Sequence, residues 1–148
     1  MAKERFMLKA ATYLIPIKDG KVLLSRRFNT GWMDGKYSLV AGHLDGGETV
    51  SEAMVREAFE ETGMKINKKD LIPVKVIHKM LDAGSGEYVD FFFVVEKWEG
   101  EPKIMEPNKC DDLSWFLIES LPKNTLPFVK KVIETRNDKP PFFEFGWG

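Results

Sequence analysis

The sequence predicts an α+β fold, and two observations carry that reading. Runs of β-branched and aromatic residues recur between Gly, Asn and Asp turns. Two other segments switch to the three-to-four spacing of an amphipathic helix, one opening on a capping signal and one on a proline. Length sets the frame: 148 residues, 43% of them hydrophobic, fit a single domain over residues 1–148. A chain of this size buries roughly two thirds of its unfolded surface, enough for a core without metal or disulfide staples.

The first apolar run, residues 8–17, ends at Lys18-Asp19-Gly20 and resumes at 22–26, the signature of a β-hairpin. Residues 28–36 carry glycine, asparagine and Trp32 without either period and read as a loop near the site. A short strand is expected at 37–40, then a glycine-containing loop over 41–48, where Gly42, Gly46 and Gly47 permit close backbone approaches. From Thr49 the pattern turns helical. Thr49-Val50-Ser51-Glu52 fits a capping box, and Val50, Met54, Val55, Ala58 and Phe59 form an apolar stripe. Gly63 supplies the left-handed exit, so the helix is expected over 50–62. Strands follow at 71–78 and 89–98, joined by a hairpin loop at 82–87. A further strand is expected at 113–117, then a helix at 128–135 behind Pro127. The aromatic tail, 140–148, has no regular pattern.

Charge narrows the function. Twenty-two Lys and Arg against 23 Asp and Glu leave a net charge of −1, without the clustered cations that binding duplex nucleic acid or an acidic membrane needs. No apolar run reaches the roughly 18 residues of a membrane span. Cys110 has no cysteine partner, and the charged start Met1-Ala2-Lys3-Glu4-Arg5 does not resemble a secretory leader, so a cytoplasmic protein is expected, as monomer or homodimer.

The acids are not evenly spread. Glu57, Glu60 and Glu61 stand at i, i+3 and i+4, within an arc of about 100° on one helix face. Like charges so placed cost a few tenths of a kcal/mol per pair unless a cation offsets them. Read alone, they favour an exposed acidic face. The surroundings point elsewhere: a glycine-containing loop precedes them, Glu48 adds a carboxylate, and Arg56 can orient a glutamate through its forked donors.

Gly42, Glu48 and Arg56-Glu57-Ala58-Phe59-Glu60-Glu61-Thr62-Gly63-Met64, at these spacings, resemble the Nudix box of the MutT-like hydrolases. Seven fixed identities match, a coincidence on the order of 10⁻⁸ per starting point at ordinary residue frequencies. Ala58 departs from the larger aliphatic residue preferred there, with Met54 or Phe59 available to supply volume. Ala41 stands where many members have a second glycine. The resemblance implies an α/β/α sandwich around a mixed β-sheet and an enzyme that hydrolyses nucleoside diphosphates linked to another group. Mg²⁺, or Mn²⁺, is the implied cofactor, since these ions take hard oxygen ligands and bridge carboxylates to phosphates. Glu57 and Glu61 are the implied metal ligands, with Glu60 joining or assisting and Glu48 either near the metal or stabilising the loop. Arg56 is the implied orienting residue and water the nucleophile. Glu60 and Glu106 are both candidates for the general base; Glu106 reads equally as a solvated loop acid.

For substrate, Arg27 and Lys36 can meet phosphate, Trp32 can stack on a base, and His43 lies inside the box. Trp115 resembles a base-stacking tryptophan of nucleotide-selective members, yet strand alternation also places it in the core. His78 reads as structural. The proline and tyrosine that mark ADP-ribose and dinucleoside-polyphosphate members are absent from Lys79-Met80-Leu81-Asp82. The expectation is a (d)NTP pyrophosphohydrolase giving nucleoside monophosphate and pyrophosphate. Hydrolysis of a nucleotide sugar, dinucleotide or other diphosphate is the first alternative, and a non-catalytic nucleotide-binding module the second.

Overall fold

A computed structural model describes residues 3–81 and 86–148. The elements are β1 (Lys9–Lys18), β2 (Lys21–Arg27), β3 (Tyr37–Ser38), β4 (Val40–His43), α1 (Val50–Thr62), β5 (Ile72–Met80), β6 (Glu87–Val95), β7 (Cys110–Leu117), α2 (Pro127–Thr135) and β8 (Phe142–Phe145). Short 3-10 turns lie at Lys68–Asp70 and Ile118–Ser120.

β1 is the hub of the sheet. It runs parallel to β6, from Lys9 opposite Tyr88 to Pro16 opposite Val95, and antiparallel to β4, from Ala11 opposite His43 to Leu14 opposite Val40. β5 pairs antiparallel with β6, and β8 extends the sheet in parallel beyond β5. The expected hairpin between β1 and β2 exists only at its turn, where Ile17 faces Val22 and Lys18 faces Lys21. Beyond that, β2 swings away to pair with β7 and β3. Turn chemistry fixed the reversal, while the partners of the diverging strands depend on chain far away.

Alternation along β1 divides the core into two layers. Ala11, Tyr13 and Ile15 join Ile77 and Phe92 beneath Phe128, Val129, Val132 and Ile133 of α2. Leu14 joins Leu23, Val40 and Phe93 beneath Met54 and Ala58 of α1. One helix therefore covers each face of the mixed sheet, the α/β/α layering expected.

The start of α1 is fixed by a reciprocal cap. Thr49 Oγ1 accepts from the Glu52 N–H at 3.1 Å, and Glu52 Oε1 accepts from the Thr49 N–H at 2.8 Å. Gly63 closes the helix at φ 77°, a left-handed conformation costly for residues with a Cβ. Met54 supplies the volume behind Ala58, both being fully buried, whereas Phe59, placed on the apolar stripe by sequence, is 48% exposed. Phe59 lies at the edge of the stripe, beyond the reach of the sheet.

Other boundaries moved where tertiary pairing overrides local preference. The strand expected at 37–40 breaks at Leu39, and pairing with β1 carries β4 through His43, into the expected glycine loop. β6 ends at Val95, short of Trp98. β7 starts at Cys110 because β2 offers partners as far as Arg27. β8, in the unpatterned tail, forms because the edge of β5 accepts it from Val76 to Lys79. The loop expected at 82–87 lies largely outside the described residues.

Met54→Ala removes a buried side chain and the sulfur that accepts from Thr12 Oγ1 at 3.2 Å. It is expected to destabilise the fold by about 2–5 kcal/mol in urea unfolding followed by circular dichroism.

Candidate active site

β4 and α1 bring the glycine segment and the glutamate face together. A Cβ built on Gly42 would overlap the carboxyl of Glu57, so glycine is the residue that lets this side chain lie against the strand. Arg56, one residue earlier on α1, ties the arrangement together. Its Nη2 and Nε donate to the two carboxylate oxygens of Glu48 at 2.7 and 3.2 Å, and Nη1 donates to Glu57 Oε1 at 2.8 Å. The same Nη1 reaches Glu60 Oε2 at 3.5 Å, and Asp45 lies 3.6 Å from Nη2. One guanidinium thus pins the loop before the helix to the helix itself and fixes the rotamer of Glu57.

Gly42, Asp45, Glu57 and Glu60 border a cleft of about 630 Å³. Glu57, Glu60 and Glu61 of α1 line it together with Glu106, from the segment before β7, and Arg27 at the end of β2. Charge crowding and burial leave a mark on the acids. Burial, then the charges of Glu57 and Glu106, push Glu61 up to about 8, against the pull of a hydrogen bond from the Ala41 backbone. Burial also raises Glu57, although Arg56 opposes it. Glu48, gripped by Arg56, is held below the usual carboxylate range.

Hard oxygen donors gathered where like charges repel fit Mg²⁺ or Mn²⁺ rather than a thiophilic ion. Among the described residues, no three acidic or imidazole groups already stand at ligating distance of one point. Arg56 accounts for part of this, because it draws an oxygen of Glu57 and one of Glu60 toward itself.

A second cavity of about 390 Å³ adjoins the first and shares Arg27, Gly42 and His43 with it. Trp32, Tyr13 and Tyr88 give it an aromatic lining. The loop after β2 positions its mouth. Asp34 accepts from the backbone of Thr30 and Gly31, and Arg27 donates to Trp32 O at 2.7 Å and Thr30 Oγ1 at 3.0 Å.

The NUDIX domain model matches residues 7–135, most of the chain and the whole of this cleft. The chain belongs to the NUDIX family. It is 33% identical over 130 residues to an ADP-ribose pyrophosphatase of Methanocaldococcus jannaschii, an alignment covering 82% of this chain and 73% of that one. It is 28% identical over 127 residues to an 8-oxo-dGTP diphosphatase of Escherichia coli, covering 84% and 95%. The fold superposes on a MutT NUDIX hydrolase from Burkholderia pseudomallei with a TM-score of 0.80 at 24% identity, covering 87% of this chain and 98% of that one. The protein is accordingly a Nudix hydrolase of diphosphate-containing substrates.

Within this Nudix domain, the two cavities gather Arg27, Trp32, Gly42, His43, Glu57, Glu60, Glu61 and Glu106. Three expected substrate or metal contacts sit elsewhere. Trp115 stacks on Trp98 at 5.8 Å and packs with the α1 core, the inward side that its pairing with Leu23 dictates. Lys36 lies outside both linings, its backbone committed to the turn that ends the loop. Glu48 has both oxygens engaged by Arg56, which makes it a support of the loop. Gly46 and Gly47 take positive φ in that loop, with open space where a Cβ would sit. Sequence reasoning passed over Tyr88, Lys79 and Asp90. The only hint was the polar residues Glu87, Tyr88 and Asp90 at the start of an otherwise apolar strand.

Two outcomes follow from this geometry. Gly42→Ala is expected to keep the fold by circular dichroism and to lower turnover by about a hundredfold or more, because Glu57 must move. In metal-free protein, the folded state keeps the Glu61 proton between the ordinary carboxylate value near 4.5 and about 8, after the unfolded chain has released it. Stability contributed by this group therefore falls as pH rises through that window and levels above it. Thermal melts in EDTA should show that decline, and Glu61→Gln should flatten it.

Proposed function

We propose that this protein is a magnesium-dependent nucleotide pyrophosphohydrolase, cleaving a nucleoside triphosphate to monophosphate and pyrophosphate. The observation that supports this reading most is the joining of two unlike cavities at Arg27: a carboxylate-lined cleft suited to metal and diphosphate, and an aromatic one suited to a base. Glu57 and Glu61 would hold the metal, with Glu60 beside them. Bound Mg²⁺, or Mn²⁺ in its place, supplies charge screening for the diphosphate and a lowered pKa for the attacking water.

The chain's own residues do the rest. Arg56 holds Glu57 in its rotamer through the 2.8 Å hydrogen bond and so acts as an orienting residue. Gly42 leaves room for that carboxylate. Arg27, lining both cavities, meets the phosphate that bridges them. Glu106 lines the cleft opposite no arginine bond of its own among those described, whereas Glu60 is drawn toward Arg56; Glu106 is thus the proposed general base. Residues 1–148 work as one domain, and the lone Cys110 suits a reducing cytoplasmic setting.

A second reading has its own support. The Methanocaldococcus relative is named an ADP-ribose pyrophosphatase, and cleavage of ADP-ribose would use the same cleft. Products separate the two: nucleoside monophosphate with pyrophosphate, or AMP with ribose 5-phosphate. Purified protein with Mg²⁺, offered triphosphates, ADP-ribose, nucleotide sugars and dinucleotides, is expected to turn over triphosphates fastest. Glu57→Gln and Glu61→Gln should each lower that rate by at least about a thousandfold while the melting temperature stays within a few degrees. Turnover retained in both variants would overturn the assignment.

A further inference from the structure

The cleft beside α1 is unevenly charged. Asp45, Glu57, Glu60, Glu61 and Glu106 give it five carboxylates, whereas Arg27 and Lys109 are the only arginine and lysine among its described lining residues. The two cations are not equivalent. Arg27 is committed to its own loop: Nε donates to Trp32 O, Nη2 donates to Thr30 Oγ1, and the guanidinium lies 4.8 Å from the centre of the Trp32 ring. Lys109 is exposed, and among the described residues no carboxylate stands within 4.0 Å of its ammonium.

Backbone bonds fix the root of that lysine. The Lys109 N–H donates to Glu106 O at 2.9 Å and closes a turn, and Lys109 O accepts from the Phe28 N–H at 2.9 Å. Just ahead of the turn, the Met105 N–H donates to Glu61 O at 3.3 Å. The segment is thus fastened to α1 beside Glu106 and to the end of β2 beside Lys109. From that fixed root the ammonium swings on a flexible four-carbon stem, a compact charge suited to phosphate oxygen. Arg27 also lines the second cavity; Lys109 belongs to the cleft alone.

Triphosphates and ADP-ribose share a diphosphate, and only the triphosphate brings a further charged phosphate into this lining of carboxylates. Like charges repel it unless a cation answers. We propose that Lys109 meets the terminal phosphate of a nucleoside triphosphate and so favours triphosphates over diphosphates whose far end is uncharged, such as ADP-ribose. The inference rests on the reading of the protein as a nucleotide pyrophosphohydrolase, and it adds the residue that sets the choice between the two substrate classes.

Two measurements on the full chain with Mg²⁺ test it, comparing wild type with Lys109→Gln and Lys109→Arg. Lys109→Gln is expected to lower kcat/KM for triphosphates by about tenfold or more, the scale of one lost charge-assisted hydrogen bond. ADP-ribose, followed as substrate or as competitive inhibitor, should change by less than about twofold. Lys109→Arg, which keeps the charge, should restore triphosphate turnover to within about threefold. Calorimetric titration should show pyrophosphate binding weakened about tenfold in Lys109→Gln and AMP binding unchanged. Triphosphate turnover unaffected in Lys109→Gln, an equal loss for triphosphate and ADP-ribose, or pyrophosphate affinity that is absent or insensitive to the substitution would overturn the inference. Failure of the parent reading looks different: no triphosphate is turned over by wild type, while pyrophosphate binding still weakens in Lys109→Gln.

Discussion

The contact between Gly42 and Glu57 is the constraint around which the site is arranged. A helix can present a carboxylate to a strand at this distance only where the strand carries no side chain, and β4 supplies that gap at its third residue. Several features serve to keep the two in register. The Thr49–Glu52 cap sets the first turn of α1, so residue 57 falls on the sheet side two turns later. Met54 and Ala58, fully buried, lock the rotation of the helix about its axis. Arg56 then removes the remaining freedom of the glutamate by bonding it and Glu48 at once. Loss of the gap, the cap or the guanidinium would each displace the same carboxylate, by three different routes.

Electrostatics explains why Arg56 is a support and not a substitute for metal. Three glutamates on one face, with Glu106 across the cleft, carry more negative charge than one guanidinium offsets. The surplus falls on Glu61, the most desolvated of them, which retains a proton to about pH 8. Arg56 meanwhile spends its best geometry on Glu48, outside the lining, so that Glu57 and Glu60 each keep an oxygen that it does not bond.

What was legible in the sequence was local. Capping, the exit at Gly63, the acidic face and the spacing of the box are written within a few turns of chain, and α1 formed at the expected residues 50–62. The turn at Asp19-Gly20 was local too, and it is where the legibility of β1 and β2 stops, because their long partners come from β4, β6 and β7. β8 shows the same limit from the other side: Phe142–Phe145 carries no alternation of its own and becomes a strand only because an edge is there to receive it. In the site, Glu57, Glu60 and Glu61 were readable by spacing, whereas Tyr88 and Lys79 needed the β5–β6 register that sets them opposite each other. Trp115 was ambiguous for a physical reason. Alternation fixes which residues share a face, and only the sheet's partners decide whether that face meets a helix or a cleft.

The net charge of −1 now has an internal structure. Acids converge on the cleft beside α1, while Lys9, Arg27 and Lys79 converge on the cavity next to it, and Arg27 belongs to both linings. The Lys79–Asp90 pair lies buried at the second cavity. A lone ammonium under α2 would carry the full cost of desolvation, and the aspartate set behind the lysine offsets it. The fold thus separates its charges by the two sides of one central strand: Thr12 and Leu14 of β1 face the helix that carries the glutamates, and Ala11 and Tyr13 face the cavity that carries the cations.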